Sequence, residues 1–291
     1  MTTRSDPDHP DSLLESFLSA EGFDPDPFQL DSFSALDAGR NLLVSAPTGS
    51  GKTLVGEYAA HRALSGGGRC FYTTPIKALS NQKFRQFRAR FGPENVGLLT
   101  GDHSIDPEAP VVVMTTEVLR NMIYSGSPAL HDLDCVVMDE IHYLGDRSRG
   151  VVWEEIILTL DPAVRLVGLS ATLSNTDELG DWITEIRGDT AVVLSDHRPV
   201  PLAHMLYTDG ELIPVRAAAD HRRRSRSGYH DERMAARPRA QWARRQDVIE
   251  KLDDERLLPA IYFVFSRAGC DGAVSQMRRG PPRGGPGGES R

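Results

Sequence analysis

Directly after the apolar run Leu42-Leu43-Val44 the chain reads Ala46-Pro47-Thr48-Gly49-Ser50-Gly51-Lys52-Thr53, then turns helix-forming from Leu54 to Ala60. Few patterns constrain a fold so tightly, because a strand must end in a loop of small residues on which a helix begins. Small residues at 49 and 51 let successive backbone N–H groups close around phosphate oxygens, and the helix adds its positive N-terminal end. Lys52 then reaches the β and γ phosphates, and the Thr53 hydroxyl is placed to ligate Mg²⁺. Lysine stands only at 52, 77, 83 and 251, while arginine supplies the other 29 of the 33 basic residues. A guanidinium is a flat fork, too broad for a loop that wraps a point charge, so position 52 excludes it. The run predicts a nucleoside-triphosphate site lined by residues 46–53.

Around it, short apolar runs at 41–45, 70–74, 96–99, 111–115, 134–138, 165–169 and 191–194 alternate with amphipathic stretches. That rhythm predicts βαβ units on a mostly parallel sheet, an α/β fold. Helices over 52–64, 77–91 and 176–186 stop at Gly66-Gly67-Gly68, at Gly92-Pro93 and near Gly188. Binding residues are expected in loops at the carboxyl ends of the strands.

A net charge of −8 over 291 residues argues against a general polyanion-binding surface. The charge is uneven: nine acids fall in the first forty residues, and nine arginines fall in 221–245. The basic stretch reads equally as a flexible contact to RNA or DNA and as a solvated linker. Cys70, Cys135 and Cys270 are too far apart for a zinc knuckle, and the first two read as small buried hydrophobes. No apolar run approaches a membrane span and no signal peptide is visible, so a cytoplasmic setting is expected.

Cys135-Val136-Val137-Met138-Asp139-Glu140 sets two acids just beyond an apolar strand, where a parallel sheet would bring them beside the loop. There Asp139 would hold Mg²⁺ and Glu140 would orient or deprotonate the attacking water. Alone, such a pair is equally a helix N-terminal charge pair.

With Asp139-Glu140-Ile141-His142 followed by Ser170-Ala171-Thr172 after another strand, the chain resembles superfamily-two helicases of the DExH class. It looks most like the Ski-like, exosome-associated RNA helicases and their bacterial relatives. The resemblance rests on 74–83 (Thr-Pro-Ile-Lys-Ala-Leu-Ser-Asn-Gln-Lys), on Leu99-Thr100-Gly101-Asp102, on 114–120 and on His197-Arg198-Pro199, and spans about 20–270. It implies a RecA-like P-loop domain using ATP and Mg²⁺, with Lys52, Asp139 and Glu140 catalytic. Gln29 resembles the glutamine that reads adenine, and Phe28 its packing neighbour. Thr74, Pro75 and Lys77, with Thr100-Gly101 and Thr116-Glu117, match segments that hold a nucleic-acid backbone, which loop groups grip without reading bases. Thr116 and Ser80 read as well as helix caps. Ser170, Ala171 and Thr172 resemble the motif coupling hydrolysis to strand movement, and His142 the residue facing a partner domain. Trp153 also matches the family pattern, with packing as its expected role. The implied partner is single-stranded or partly duplex nucleic acid, RNA rather than DNA by resemblance alone.

The expected organisation is an acidic segment over 1–24, a RecA-like domain over 25–197, a linker with the Arg-rich stretch over 198–258 and the start of a second RecA-like domain over 259–278. Residues 279–291, rich in Gly, Pro and Arg, are expected to be disordered. Ala260-Ile261-Tyr262-Phe263-Val264-Phe265 reads as one more buried strand, either irregularly docked or exposed if its sheet is absent. The second domain's arginine fingers, worth about 10³–10⁵ in rate, find no matching segment, and the change of composition after about Ser275 suggests a truncated or frame-shifted reading. Two functions follow: the ATP-binding half of a helicase unable to unwind alone, or a non-enzymatic, nucleotide-dependent binding module that needs a partner domain. A P-loop kinase would not explain 170–172 or 74–83.

Overall fold

The structure, a computed structural model, describes residues 10–19, 22–146, 149–172, 175–208, 210–215 and 244–277. Its contacts divide the chain into two units, Met1–Val200 and Pro201–Arg291.

The first unit opens with helices α1 (Pro10–Leu18) and α2 (Pro27–Asp37). It then runs β1 (Asn41–Ser45), α3 (Lys52–Ser65), β2 (Arg69–Thr74), α4 (Lys77–Phe91), β3 (Val96–Leu99), β4 (Ser104–Ile105), β5 (Val111–Thr115) and α5 (Thr116–Tyr124). It closes with β6 (Leu133–Asp139), α6 (Gly150–Thr159), β7 (Arg165–Ser170), α7 (Thr176–Arg187) and β8 (Thr190–Leu194). The sheet order is β4-β3-β5-β2-β6-β7-β1-β8, parallel except where β4 folds back on β3. All seven strand runs read from the sequence are present, because helices cover both faces of such a sheet and leave its strands unbroken apolar runs.

Alternation along each strand divides the core in two. Cys70 and Tyr72 point to one face, with Phe33, Tyr58 and Phe87, while Phe71 points to the other, with Met138, Trp153 and Ile156. Cys70 and Cys135 face each other across β2 and β6 and are buried, as their setting predicts. The acidic beginning of the chain contributes to this core. Phe17 on α1 is buried with its ring 5.0 Å from that of Tyr58 and 6.0 Å from that of Phe33, under the Arg90 guanidinium.

Helix α3 approaches the sheet at Gly56, where a β-carbon would lie 2.8 Å from Tyr72 Cε2 and 3.2 Å from both Leu169 and Val137 side chains. Gly56→Ala is therefore expected to destabilise by about 1–2 kcal/mol, the overpacking cost exceeding the helix-propensity gain of about 1 kcal/mol. Urea unfolding followed by circular dichroism checks this, and a stabilised variant would contradict the close approach.

The second unit contains an antiparallel hairpin, β9 (Met205–Thr208) with β10 (Glu211–Pro214), and helices α8 (Arg245–Asp254) and α9 (Arg267–Met277). Lys251 on α8 pairs with Glu211 of the hairpin at 3.0 Å. No buried strand forms at 260–265; the run is exposed, the alternative expected for it without a sheet, with Ile261, Phe263 and Phe265 81%, 75% and 101% exposed. A β-strand needs a neighbour to take its backbone bonds, and none pairs with this run among the described residues. Its alternation survives, since Tyr262 and Val264 face Ile249 of α8 and Ala273 and Val274 of α9 across a shared cavity. The expected disordered tail, 279–291, and most of the Arg-rich stretch lie outside the described residues.

Candidate nucleotide and nucleic-acid site

Three strand ends lie level at one edge of the sheet. Register pairs Ser45 of β1 with Ser170 of β7, and Leu169 of β7 with Asp139 of β6. The small-residue loop, residues 170–172 and the acidic pair therefore leave the sheet side by side. Ala46 N donates to Ser170 O at 3.2 Å and Ser45 Oγ to Ala171 O at 3.3 Å, so 170–172 is fastened to the base of the loop. Ser170 is buried and Thr172 exposed.

Gly49 and Gly51 adopt φ of 84° and 86°, the left-handed region that glycine enters without strain. α3 starts at Lys52, whose Nζ folds back to donate to Ala46 O at 2.6 Å and Pro47 O at 2.9 Å. Burial pulls this ammonium below its ordinary pKa; Glu140 and Asp139 push it up, and Arg198 and Lys83 lower it further. The Ser50 hydroxyl is buried and has no partner among the described residues. Left-handed glycines, an orphaned hydroxyl and a half-buried ammonium resting on carbonyls suit a polyphosphate. Gln29 is buried and braced against the same loop, accepting from Asp26 N at 2.8 Å and donating to Gly51 O at 3.0 Å. Phe28 packs in the core.

Asp139 accepts from the Tyr72 hydroxyl at 2.7 Å on Oδ2 and from Glu140 N at 3.0 Å on Oδ1. Thr53 and Asp139 flank one cation: Lys83 Nζ donates to Thr53 Oγ1 at 2.6 Å and lies 3.9 Å from Asp139 Oδ2. A hydroxyl and a carboxylate are the hard oxygen donors that Mg²⁺ prefers. Among the described residues no three His, Cys, Asp or Glu form a metal-holding group.

Glu140 has φ of 56°, a left-handed setting that costs a non-glycine residue energy and that clusters at functional sites. His142 Nδ1 lies 3.2 Å from its Oε2. Burial, then Asp139, hold the Glu140 carboxyl above its ordinary 4.5, with His142, Lys52 and Lys83 pulling the other way. Between the unfolded and the raised folded pKa the native protein binds the extra proton, so stability is lost as pH rises through that window. Glu140→Gln is thus expected to raise the melting temperature at pH 7 and to change it little at pH 4. Melting curves at the two values check this, and a pH-independent effect would contradict it.

The other group of expected residues leaves the neighbouring strands β3, β5 and β2. Thr74 Oγ1 bonds Ser80 Oγ at 2.7 Å, and Thr116 Oγ1 donates to Thr74 O at 3.1 Å. Thr74, Pro75 and Thr116 are buried; the Thr116 hydroxyl ties its loop to the Thr74 carbonyl, while the Thr74 hydroxyl is held within its own turn by Ile76 and Ser80. Lys77 and Gly101 are exposed, and Glu117 is half-buried. Lys77 Nζ pairs with Asp102 Oδ1 at 2.9 Å, an oxygen that also accepts from Thr100 Oγ1 at 2.9 Å. That pairing holds the Asp102 carboxyl well below its usual range.

Residues 26–179, more than half of the chain, match the DEAD/DEAH box helicase family. The chain belongs to this helicase family. It is 52% identical over 292 residues to the Probable helicase HelY of Mycobacterium tuberculosis, an alignment covering 93% of this chain and 32% of that protein. It is 41% identical over 280 residues to the Superkiller complex protein 2 of Homo sapiens, a Ski-like relative, covering 88% of this chain and 22% of that one. The solved structure of Mycobacterium smegmatis helicase Lhr bound to ssDNA and AMP-PNP superposes with a TM-score of 0.54 at 28% identity, covering 63% of this chain and 27% of that one. The chain thus spans about a third or less of the curated relatives named.

The helicase-family match runs from α2 into α7 and so includes the loop, the acidic pair and 170–172 on a RecA-like sheet. Lys83 and Asp102 are the residues to which sequence reasoning gave no role. For Lys83 the available signal was its survival as lysine in an arginine-rich chain.

Proposed function

We propose that this chain is the ATP-binding and nucleic-acid-backbone-binding half of an ATP-dependent helicase acting on single-stranded or partly duplex nucleic acid, RNA in preference to DNA. The observation that carries the reading is the level register of β1, β7 and β6, which sets the cradle, 170–172 and the acidic pair side by side. In this reading residues 46–53 hold the triphosphate, with Lys52 giving its ammonium to the phosphates. Thr53 and Asp139 hold Mg²⁺, which when bound neutralises charge on the phosphate oxygens. Glu140 takes the proton of the attacking water, and its raised pKa favours that task near neutral pH. Gln29, braced on Gly51, reads adenine beside Phe28. Residues 170–172 and His142 pass the state of the site to a second RecA-like domain supplied by a partner or by further chain. Lys77, Gly101 and the backbone around Thr74, Pro75, Thr100, Thr116 and Glu117 grip the strand. RNA is favoured by relatives such as the DExH-box ATP-dependent RNA helicase DExH15 of Arabidopsis thaliana. No helix among the described residues is long and apolar enough to cross a membrane; a cytoplasmic setting completes the reading.

The test combines binding of a fluorescent ATP analogue with Mg²⁺, turnover, and anisotropy of labelled RNA and DNA strands of one sequence. The expected result is nucleotide binding with little turnover, and strand binding that depends on nucleotide and is tighter for RNA. RNA-stimulated turnover lost in Glu140→Gln would show that the unit catalyses unaided. Strand binding without any nucleotide binding would overturn the proposal.

A further inference from the structure

Lys83 sits where the proposed metal ligands meet. Its Nζ donates to Thr53 Oγ1 at 2.6 Å and lies 3.9 Å from Asp139 Oδ2, and the Lys83 and Asp139 side chains are only 12% and 13% exposed. The Tyr72 hydroxyl donates to the same Asp139 oxygen, and the Tyr72 ring lies 5.6 Å from the ammonium. A buried carboxylate beside Glu140 is costly without a positive partner, and Lys83 supplies one. A compact ammonium fits between a hydroxyl and a carboxylate, whereas a guanidinium fork does not. That difference gives a physical reason for a lysine at 83 in a chain whose other basic residues are 29 arginines and three lysines.

We infer that Lys83 is a tethered cation that competes with Mg²⁺ for Thr53 and Asp139 and must withdraw from both for the metal to be held there. The inference rests on the proposed ATP site. Two cations cannot share the same two oxygens, so Lys83 opposes metal loading while it offsets the Asp139 charge. Lys83 lies six residues along α4 from Lys77, which belongs to the proposed strand grip.

The test uses the full chain, with Lys83→Met and Lys83→Gln as two uncharged replacements and fluorescent ADP as the probe. The quantity read is the ratio of ADP affinity in Mg²⁺ to that in EDTA, with melting curves run in parallel so that a variant that fails to fold leaves the other to decide. The expected ratio rises about tenfold in each folded variant, equivalent to about 1.4 kcal/mol less opposition to the metal. An unchanged or lower ratio would overturn the inference. A merely structural lysine would weaken both arms equally and leave the ratio where it was. Lys52→Ala separates the two levels of argument. If it binds ADP as well as the native chain does, the site reading itself fails. If it loses ADP while the Lys83 ratio stays flat, only the role of Lys83 fails.

Discussion

Lys52→Ala is expected to weaken Mg²⁺–ADP binding about a hundredfold, the scale of losing one or two charge-assisted hydrogen bonds to phosphate. The Lys52 ammonium rests on Ala46 O and Pro47 O, two acceptors of its own loop. Burial disfavours its charge. A phosphate oxygen would satisfy that charge better than a carbonyl does, so nucleotide binding releases a cost already built into the fold. Lys52→Arg is expected to fail as well, because the Ala46 and Pro47 carbonyls of the loop hold a point charge and not a planar fork. Isothermal titration of ADP into both variants checks this. Native affinity in Lys52→Arg would show that charge alone matters and that the cradle is not a shaped site.

Trp153→Ala is expected to cost about 3–5 kcal/mol of stability, and with it about 10 °C in melting temperature for a unit of this size. Trp153 is fully buried on α6 and stacks on Tyr143, with ring centroids 5.8 Å apart. Tyr143 lies in the turn that follows Glu140, so the cavity opens against that turn. The indole Nε1 is buried with no partner among the described residues. Trp153→Phe removes that orphaned donor along with some volume, so its loss is expected to be much smaller than that of alanine. Thermal melts of the two variants check the pair. Equal losses would mean that the indole nitrogen has a partner and that the residue is more than packing.

The strands of the first unit were legible because burial on both faces writes them as unbroken apolar runs. The phosphate cradle was legible because its chemistry restricts residue type at fixed spacing. β4 has two exposed residues, and the β9–β10 hairpin is short, so neither leaves such a run. Helix α1 was hidden in an acidic segment because its docking face is short, made by Phe17 with Leu14 and Leu18. The run at 260–265 has strand composition, yet composition cannot supply the neighbouring strand that pairing requires. Lys83 reaches Thr53 across 30 residues of sequence, a meeting made by the packing of α4 beside α3 and beyond the reach of any local pattern. Thr74 and Thr116 stand among the expected strand-gripping groups; the fold buries both, turning the Thr74 hydroxyl onto Ser80 of its own segment and the Thr116 hydroxyl onto the Thr74 carbonyl.

A crystal structure of this chain with Mg²⁺ and a non-hydrolysable ATP analogue would decide the matter most directly. The expected density places the β and γ phosphates on residues 49–53, Lys52 off its own carbonyls and onto phosphate, and the metal between Thr53 and Asp139, with Lys83 displaced. A triphosphate bound elsewhere, or bound at the loop with its metal remote from Asp139, would contradict the joint role of the cradle and the acidic pair.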